Sequence, residues 1–244
     1  MSKVVLVSGS SINLGKSIIL KYADSGFSCV ITYLNHEKEA AEVRNEIINK
    51  YHTKVLCVKC DITKDEDIDR LYDEVINEFG KIDVLINNAG IDIPCEFDSK
   101  NRKDYLKVLD TNLVSTFMMS KKFGNLMFEN KSGCIINISS NNAINSYDEW
   151  SLEYDSSKAG VNNLTHNLAN HYAPYVRVNS VAPGWILTDV TSSMNPNYIE
   201  EEKKKILLNR FASMEEIADL VYFISEKGTY INDSIIRIDG GKKC

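Results

Sequence analysis

The residues with the clearest chemical meaning are Tyr154 and Lys158, which stand four positions apart. On a helix, side chains at this spacing share one face, with their Cβ atoms about 6 Å apart. A lysine cation beside a phenol favours the phenolate, so we expect Lys158 to lower the tyrosine pKa from about 10. Reduction of a carbonyl needs an acid that gives up its proton near neutral pH. The pair therefore predicts a general acid/base.

The position of the pair, and of Ser140 before it, strengthens this interpretation, whereas Asn112 by itself does not. Among the 12 tyrosines of the chain, only Tyr154 has a lysine four residues later. It comes after an apolar run that is directly followed by Ser139 and Ser140. Of these two serines, Ser140 is the better candidate for a hydroxyl that polarises a substrate carbonyl. Asn112 lies midway along a long helical pattern, where a polar residue commonly caps or bends the helix.

The elements that must position these residues alternate along the chain. Short runs rich in β-branched residues are mostly continuous rather than alternating, which is typical of strands buried on both faces of a parallel sheet. We predict strands at residues 4–7, 29–33, 55–60, 84–86, 135–138, 176–181 and 235–238. We predict helices at about residues 15–25, 38–50, 66–79, 101–129, 154–172 and 214–226. This order predicts one α/β domain over residues 1–244, a doubly wound (Rossmann) parallel sheet of about seven strands with helices on both faces.

A glycine-containing loop joins the first predicted strand to the first predicted helix. Gly9 permits a tight turn, and Gly15 allows the helix to pack closely on the strand. Between them, Asn13 is of the non-glycine type best able to adopt a left-handed backbone. Free N–H groups and the helix dipole at such a loop favour a pyrophosphate.

The segment from residue 191 to 209 interrupts the alternation. It is interpreted either as a solvated loop with a short helix or as a mobile lid over a site. Aromatic and apolar residues near the predicted site are candidates for a substrate pocket or for packing of the loops: Ile93, Pro94, Tyr147, Trp150, Trp185, Met194 and Tyr198. Acidic side chains at Asp148, Glu149 and Glu153 would disfavour an anionic substrate if they face that pocket.

Composition excludes several classes. The net charge of −6 argues against a nucleic-acid partner, which usually calls for a basic surface. No apolar stretch approaches the 18 or so residues of a membrane span, and the apolar run at residues 4–7 is too short for a signal peptide. We therefore expect a cytoplasmic protein whose six cysteines are reduced. Cys57 and Cys60 form a C-x-x-C on a predicted strand, which points them to opposite faces, and we predict no metal site.

Together these motifs resemble the short-chain dehydrogenase/reductase family over residues 3–241. The loop that starts at Ser8 is similar to the family's T-G-x-x-x-G-x-G, with Ser8 for the threonine and Asn13 for the middle glycine. The family's N-N-A-G occurs unchanged at residues 87–90, and residues 183–188 resemble its P-G-x-x-x-T. Within the family, the chain resembles the 3-oxoacyl acyl-carrier-protein reductases.

The resemblance implies roles for individual residues. Asn112, Ser140, Tyr154 and Lys158 would be catalytic, with Asn112 holding a water in a proton relay. A nicotinamide cofactor would be bound by Gly9, Ser11, Asn13, Leu14, Gly15, Tyr33, Asp61, Ile62, Asn88, Ala89, Gly90, Tyr154, Lys158, Pro183, Gly184, Ile186 and Thr188. The relatives assemble through the two long helices and the last strand, which implies a homotetramer or homodimer.

The residues at the end of the second predicted strand indicate which cofactor is bound. NAD-binding members usually place an acidic residue there, whereas residues 32–35 carry none. Ile12 stands where an arginine is common, and His36 and Lys38 are the nearest candidates for positive charge. We therefore favour NADP and keep NAD as the alternative.

The expected function is hydride transfer between this cofactor and a small carbonyl or alcohol, with 3-oxoacyl thioester reduction as one candidate. An NAD-dependent dehydrogenase of small alcohols or polyols is the alternative. A non-catalytic nucleotide-binding regulator on the same fold is an alternative of another class. A regulator would be free to lose the four catalytic residues, whereas all four are present.

Overall fold

The computed structural model describes residues 2–144 and 148–242. Its strands are β1 (Val4–Val7), β2 (Ser28–Tyr33), β3 (Val55–Lys59), β4 (Val84–Asn87), β5 (Gly133–Ile138), β6 (Val176–Pro183) and β7 (Ile235–Ile238). They form one sheet in the order β3-β2-β1-β4-β5-β6-β7, and every pair of neighbours is parallel. The predicted doubly wound sheet is confirmed.

Helices connect successive strands. They are α1 (Asn13–Asp24), α2 (Glu37–Glu46), α3 (Asp65–Phe79), α4 (Arg102–Leu109), α5 (Ser115–Glu129), α6 (Leu152–Tyr172), α7 (Asp189–Ser192), α8 (Pro196–Lys204) and α9 (Met214–Glu226). Local sequence explains several boundaries. Three acidic residues open α3, and Gly80 ends it with a left-handed φ of 70°. A capping box between Ser213 and Glu216 starts α9.

Both faces of the sheet are covered, which explains the continuous apolar runs. In β1, Val5 and Val7 pack into the cluster formed with α1, α2 and α9. Val4 and Leu6 face the other way, into the cluster formed with α3, α5 and α6. A strand whose successive side chains are buried on opposite sides shows no polar alternation.

The C-x-x-C pair follows the same geometry. Cys57 packs against the first cluster and Cys60 belongs to the second, so the two thiols lie on opposite sides of the sheet, as predicted. The five cysteines of the described residues are free. These residues also contain no group of three or more side chains arranged to hold a metal ion.

The long helical prediction at 101–129 is confirmed, but the turn in its middle is wider than that of an α-helix. A π-helical turn, Asp110–Val114, separates α4 from α5, and a second one, Ile47–Tyr51, follows α2. A π-helical turn adds one residue to the helix, and an apolar repeat of 3.6 residues does not show where that residue is added. The first insertion turns Asn112 inward, where its side chain is buried. It thus positions a residue that the sequence singled out.

Buried amides join the central strands to the helices beneath them. The Nδ2 of Asn87 on β4 donates to Oγ of Ser120 on α5 (2.9 Å) and to Oδ1 of Asn137 on β5 (2.8 Å). Nδ2 of Asn137 donates in turn to Oγ1 of Thr165 on α6 (2.9 Å). This amide chain fixes the carboxyl ends of β4 and β5 relative to α5 and α6. Within the described part of the chain, no helix is both long and apolar enough to span a membrane.

Replacing Asn137 with alanine should therefore destabilise the protein. The change leaves the buried Asn87 amide and Thr165 hydroxyl with fewer partners, which we expect to lower the free energy of unfolding by about 1–3 kcal/mol. Chemical denaturation measures this difference. In the exposed control Asn163→Ala, the change should stay within about 0.5 kcal/mol. Equal effects of the two substitutions would show that the amide chain does not stabilise the sheet.

Candidate active site

A cavity of about 570 Å³ opens beyond the carboxyl ends of the strands on the β1 side of the sheet. In open α/β sheets, ligands bind at this edge. The predicted cofactor residues that line it are Gly9, Ser11, Asn13, Leu14, Gly15, Tyr33, Asp61, Ile62, Asn88, Ala89 and Gly90. Eleven of the predicted positions thus share one cavity.

The glycine loop has the backbone that its sequence predicts. Gly9 adopts a φ of +64° and Asn13 a φ of +47°, so the asparagine takes the left-handed conformation expected of it. A Cβ atom on Gly15 would lie 2.2 Å from the carbonyl oxygen of Gly9, so only glycine fits there. The cap residue Ile12 offers no side-chain hydrogen bond to the start of α1, which leaves the N–H groups of the first turn available to a ligand.

The N-N-A-G segment braces this loop. Ser8 Oγ accepts hydrogen bonds from the backbone N–H groups of Asn88 (2.9 Å) and Ala89 (3.0 Å). Asn88 Nδ2 donates to the carbonyl oxygens of Ser8 (2.9 Å) and Gly9 (3.2 Å). Serine at position 8 therefore supplies the hydroxyl that a threonine would. The glycine cradle, the open helix start and the cavity together fit a dinucleotide with a pyrophosphate centre.

Lys158 and Tyr154 lie in the first turns of α6. Lys158 Nζ donates to the carbonyl oxygen of Ile138 at the end of β5 (2.8 Å) and lies 5.5 Å from the centre of the Tyr154 ring. Burial lowers the pKa of Lys158 to about 8. For Tyr154, burial raises the pKa to about 12, although hydrogen bonding with Ser140 opposes the rise.

The expectation that the pKa of Tyr154 lies below its usual value is therefore wrong. Loss of water around the phenol dominates, because a buried phenolate is poorly solvated. Negative charge at Asp92 and Asp155 pushes the pKa in the same direction. Lys158 Nζ donates to a backbone carbonyl and lies 5.5 Å from the centre of the Tyr154 ring, so its charge does not outweigh the effect of burial.

Asn112 is held in place by three hydrogen bonds. Its Oδ1 accepts from the N–H of Ile91 (2.8 Å), and its Nδ2 donates to the carbonyl oxygen of Ile91 (2.8 Å) and to Ser157 Oγ (3.0 Å). A Cβ atom on Gly90 would lie 3.1 Å from Asn112 Oδ1 and 3.5 Å from Lys158 Nζ. Asn112 and Lys158 therefore converge on the backbone of Gly90, while the water that Asn112 would hold remains a prediction.

The two serines at the end of β5 differ in their surroundings. Ser139 Oγ donates to the carbonyl oxygen of Lys158 (3.2 Å), which ties the strand end to α6. Ser140 Oγ accepts from the N–H of Asn142 (3.1 Å) at the start of a short 3₁₀ turn. Ser140, rather than Ser139, interacts with the Tyr154 phenol.

Four predicted cofactor residues lie at the carboxyl end of β6 and in the loop that follows it. Pro183 ends that strand, and Gly184 packs on Asp239 so closely that a Cβ atom would lie 2.8 Å from the Asp239 Cβ. Ile186 pairs with Ala212 as an isolated parallel bridge. Thr188 Oγ1 accepts from the N–H of Thr191 (3.2 Å) and starts α7. None of the four is among the described residues that line the cavity on the β1 side, and neither Tyr154 nor Lys158 is.

Sequence reasoning missed part of the cavity wall. Lys107, Asp110 and Thr111 line the cavity from α4 and the π-helical turn. No local motif marks them, because only the tertiary fold brings this helix across the cavity. Thr32 was also missed, and its Oγ1 accepts from the N–H of Gly9 (3.1 Å).

The acidic residues around the substrate side differ from expectation. Glu153 is buried and pairs with Lys100 Nζ at 2.7 Å, so its charge is compensated. Asp155, not singled out before, accepts from Asn142 Nδ2 (3.0 Å). Burial raises the pKa of Asp155 to about 6, and Asp148 adds to the rise.

The remaining candidates for the substrate side lie in loops and in the segment at 191–209. That segment contains the end of α7 and all of α8, which agrees with a loop that carries short helices. Trp185 and Tyr198 meet edge to face, with ring centres 6.3 Å apart. Trp150 is exposed, and Tyr147 lies outside the described residues.

Comparisons of the sequence with known proteins agree on one family of oxidoreductases. The sequence pattern of the family described as short chain dehydrogenase matches residues 3–199. The chain is 36% identical over 241 residues to the 3-oxoacyl-[acyl-carrier-protein] reductase FabG of Aquifex aeolicus (strain VF5), covering 98% of this chain and 96% of that protein.

Solved structures show the same likeness. A 7α-hydroxysteroid dehydrogenase complexed with NADH and 7-oxo glycochenodeoxycholic acid aligns with a TM-score of 0.92 and 29% identity, covering 98% of this chain and 94% of that one. A protein described as a putative gluconate dehydrogenase from Agrobacterium tumefaciens aligns with a TM-score of 0.92 and 27% identity, covering 98% and 95%.

The raised pKa of Asp155 gives a prediction about stability. Below about pH 4, the carboxyl is protonated in the folded and unfolded chains alike, whereas above about pH 6 the folded chain must bury a carboxylate. The free energy of unfolding of wild type therefore falls as the pH rises from 4 to 6, relative to that of Asp155→Asn, which has no carboxylate at this position. We expect the melting temperature of the variant minus that of wild type to grow across this range by about 2–4 °C, then level off. A difference that is constant from pH 4 to pH 7 would contradict the assignment.

Proposed function

The chain belongs to the short chain dehydrogenase family, and from this premise we propose that it transfers a hydride between NADP and a carbonyl or alcohol substrate. Its family and relatives identify it as an NAD(P)-dependent oxidoreductase. The observation that carries the proposal is the convergence of Tyr154, Ser140 and Lys158 at the junction of β5 and α6. The glycine cradle lies across the same edge of the sheet.

The proposed division of labour follows from the surroundings of each residue. The nicotinamide cofactor, when bound, supplies the hydride in reduction and accepts it in oxidation. The loop at residues 8–15 and the N-N-A-G segment would hold its phosphates and ribose, while Pro183, Gly184, Ile186 and Thr188 would hold its reactive end. Ser140 donates a hydrogen bond to the substrate oxygen, and Tyr154 exchanges the proton with it.

The raised pKa of Tyr154 suits this role in the direction of reduction. A phenol with a pKa of about 12 stays protonated at neutral pH and is ready to donate to the alkoxide that forms. Lys158, with a pKa of about 8, is largely cationic and stabilises the phenolate left behind. Asn112 then positions the water through which Lys158 exchanges its proton.

Our preference for NADP rests on the wall of the cavity near the end of β2. Residues 32–36 line it and contain no acid that would repel a 2′-phosphate. His36 lies on this wall, with Nδ1 3.8 Å from Glu39 Oε2, and Lys107 approaches from α4. Asp61 also lines the cavity, but its Oδ1 already accepts two hydrogen bonds from Thr63.

The substrate is proposed at the level of a small carbonyl or alcohol. Similarity to the Aquifex reductase supports a 3-oxoacyl thioester as the first candidate to assay. An NAD-dependent dehydrogenase of small alcohols or polyols is the alternative. Turnover of a short 3-oxoacyl thioester, a 3-oxo ester, a cyclic ketone and a ketose, each with NADPH and NADH, separates these possibilities. Cofactor binding without turnover of any of them would favour a regulator.

We further propose that the chain, one domain over residues 1–244, assembles as a homotetramer or homodimer in the cytosol. Exposed apolar side chains on α4, the π-helical turn and α5 support a self-association surface: Leu106, Val114, Phe117 and Phe128. Free thiols among the described residues are compatible with a reducing compartment. Size-exclusion chromatography with light scattering measures the assembly.

Substitution of Tyr154 by phenylalanine tests the catalytic assignment. Without the hydroxyl no proton can be exchanged, so we expect kcat to fall by about 10²- to 10⁴-fold while the dissociation constant for NADPH stays the same. Steady-state kinetics and equilibrium titration measure the two quantities. The control is Tyr105→Phe on α4, which removes a phenol hydroxyl that lies 2.9 Å from Ser156 Oγ on α6, the helix that carries Tyr154. This variant should retain activity. Full turnover in Tyr154→Phe would overturn the assignment.

An acidic side chain at position 34 should reverse the cofactor preference. Leu34 lies on the cavity wall and is 45% exposed, so Leu34→Asp introduces a charge with little loss of packing. Repulsion of a 2′-phosphate should lower the ratio of kcat/KM for NADPH to that for NADH by about tenfold or more. Leu34→Asn, of nearly the same shape, should leave the ratio close to wild type. A wild-type enzyme that prefers NADH would contradict the proposal before any substitution is made.

A further inference from the structure

Glu202 is buried where its sequence neighbours are not. It lies in a charged run on α8 and is the one buried side chain that the structure assigns to this helix, with 4% of its surface exposed. A carboxylate taken out of water is unfavourable unless ion pairs and hydrogen bonds compensate it. The burial of Glu202 therefore requires specific partners.

Three groups from three segments provide this compensation. Trp185 Nε1, in the loop after β6, donates to Glu202 Oε2 at 2.8 Å. Lys205 Nζ, just past α8, lies 2.5 Å from Oε1, and Lys242 Nζ, beyond β7, lies 3.6 Å from Oε2. Burial raises the pKa of Glu202, but these hydrogen bonds and charges outweigh it, so the pKa is lowered. Glu202 is thus held ionised in a buried position.

Trp185 is the centre of this arrangement. Its ring stacks on the buried Phe211, with ring centres 5.5 Å apart and planes 20° apart. The edge of Tyr198 on α8 meets it, and Lys242 Nζ lies 5.4 Å from its ring centre. Trp185 follows Gly184 directly, so α8 is attached to the carboxyl end of β6 through one indole. The Glu202 carboxylate is the polar part of that attachment, and the ring contacts are the apolar part.

The attached helix lies at the carboxyl edge of the sheet, where Lys158 also contacts the end of β5. The charge of Asp148, in the loop before Tyr154, acts on the Tyr198 phenol, although burial is the larger cause of its raised pKa. The charge of Lys242 acts on Asp155, the residue next to Tyr154. Trp185 itself leaves β6 beside the end of β5, because Ile138 pairs with Val181 and the N–H of Ser139 donates to the carbonyl oxygen of Val181 at 2.8 Å. Trp185 and α8 therefore form a wall next to the end of β5 that carries Ser140.

From this geometry we propose that Glu202 is a positioning residue for the substrate. It locks Trp185 and α8 into the wall beside the end of β5 and thereby sets how tightly the carbonyl substrate binds. The proton-transfer groups are held separately, by β5, α6 and the π-helical turn, and do not depend on it. The inference rests on the proposed oxidoreductase function for its substrate, but the attachment of α8 is a property of the protein without ligand.

The first test is kinetic. For Glu202→Ala, we expect the KM of the best carbonyl substrate of the panel above to rise roughly tenfold to a hundredfold, because the wall loses a charged hydrogen bond. The kcat and the dissociation constant for NADPH should stay within about threefold of wild type, since neither depends on α8. Glu202→Gln keeps an acceptor for Trp185 Nε1 and should recover part of the loss. The matched control is Glu201→Ala, an exposed carboxylate on the same helix.

The second test needs no substrate. The chain has two tryptophans, so in a Trp150→Phe background the fluorescence reports on Trp185 alone. Acrylamide should quench Trp185 more strongly in Glu202→Ala than in the parent, with Glu202→Gln in between and Glu201→Ala unchanged. In the native background, Trp185→Phe keeps the stacking on Phe211 but loses the Nε1 donor. In the double variant Trp185→Phe/Glu202→Ala, the increase in KM should be smaller than the two single increases combined, because both substitutions remove the same hydrogen bond.

The outcomes separate the two proposals. Increased quenching together with a KM-specific loss supports the positioning role. Unchanged quenching, or equal losses in KM, kcat and cofactor affinity, overturns it. If wild type turns over no carbonyl or alcohol, the proposed function fails, and the quenching result still decides whether Glu202 holds α8.

Discussion

The structure depends on a contact between two stretches of backbone, where the start of α1 meets the turn that leaves β1. A side chain on Gly15 would occupy the space of the Gly9 carbonyl and of Asn88 Nδ2, so helix, turn and N-N-A-G segment can approach only because that side chain is absent. The approach leaves the first N–H groups of α1 directed at an open cavity. The shape of this edge of the sheet, where we propose that the cofactor binds, follows from this close packing.

Around this contact, buried polar groups do the positioning that apolar packing cannot. Amides at Asn87 and Asn137 fix the two central strand ends against the helices below. Asn112 clamps the backbone of Ile91, and Lys158 clamps that of Ile138. Each of these groups has a fixed partner, so the orientation of the site is determined before any ligand arrives. Tyr154 is the exception, since its neighbours leave the phenol poorly solvated and strongly protonated.

Sequence patterns predicted the elements well where burial on both faces leaves continuous apolar runs. All the predicted strands occur, with ends that shift by two residues at most. The left-handed backbone at Asn13 was also predictable, because it depends on the residue type alone. Properties that depend on distant neighbours were not predictable. The pKa of Tyr154 is dominated by burial, and Glu153 pairs with Lys100, which lies 53 residues away. Glu202 looked like part of a solvated charged run until the fold placed Trp185 and Lys242 beside it.

The π-helical turn at Asp110–Val114 has a consequence for how this enzyme can change. Lys107, before the turn, lines the cavity together with Asp110 and Thr111 of the turn. Asn112, also in the turn, reaches the backbone of Gly90 beside Lys158. Deleting one residue would restore an ordinary helix and rotate α4 by about 100° relative to α5. That rotation would carry either the cavity wall or Asn112 out of place. We therefore expect that a change of length at this point of the chain would move Asn112 and the cavity wall relative to one another, so the extra residue couples these two parts of the site.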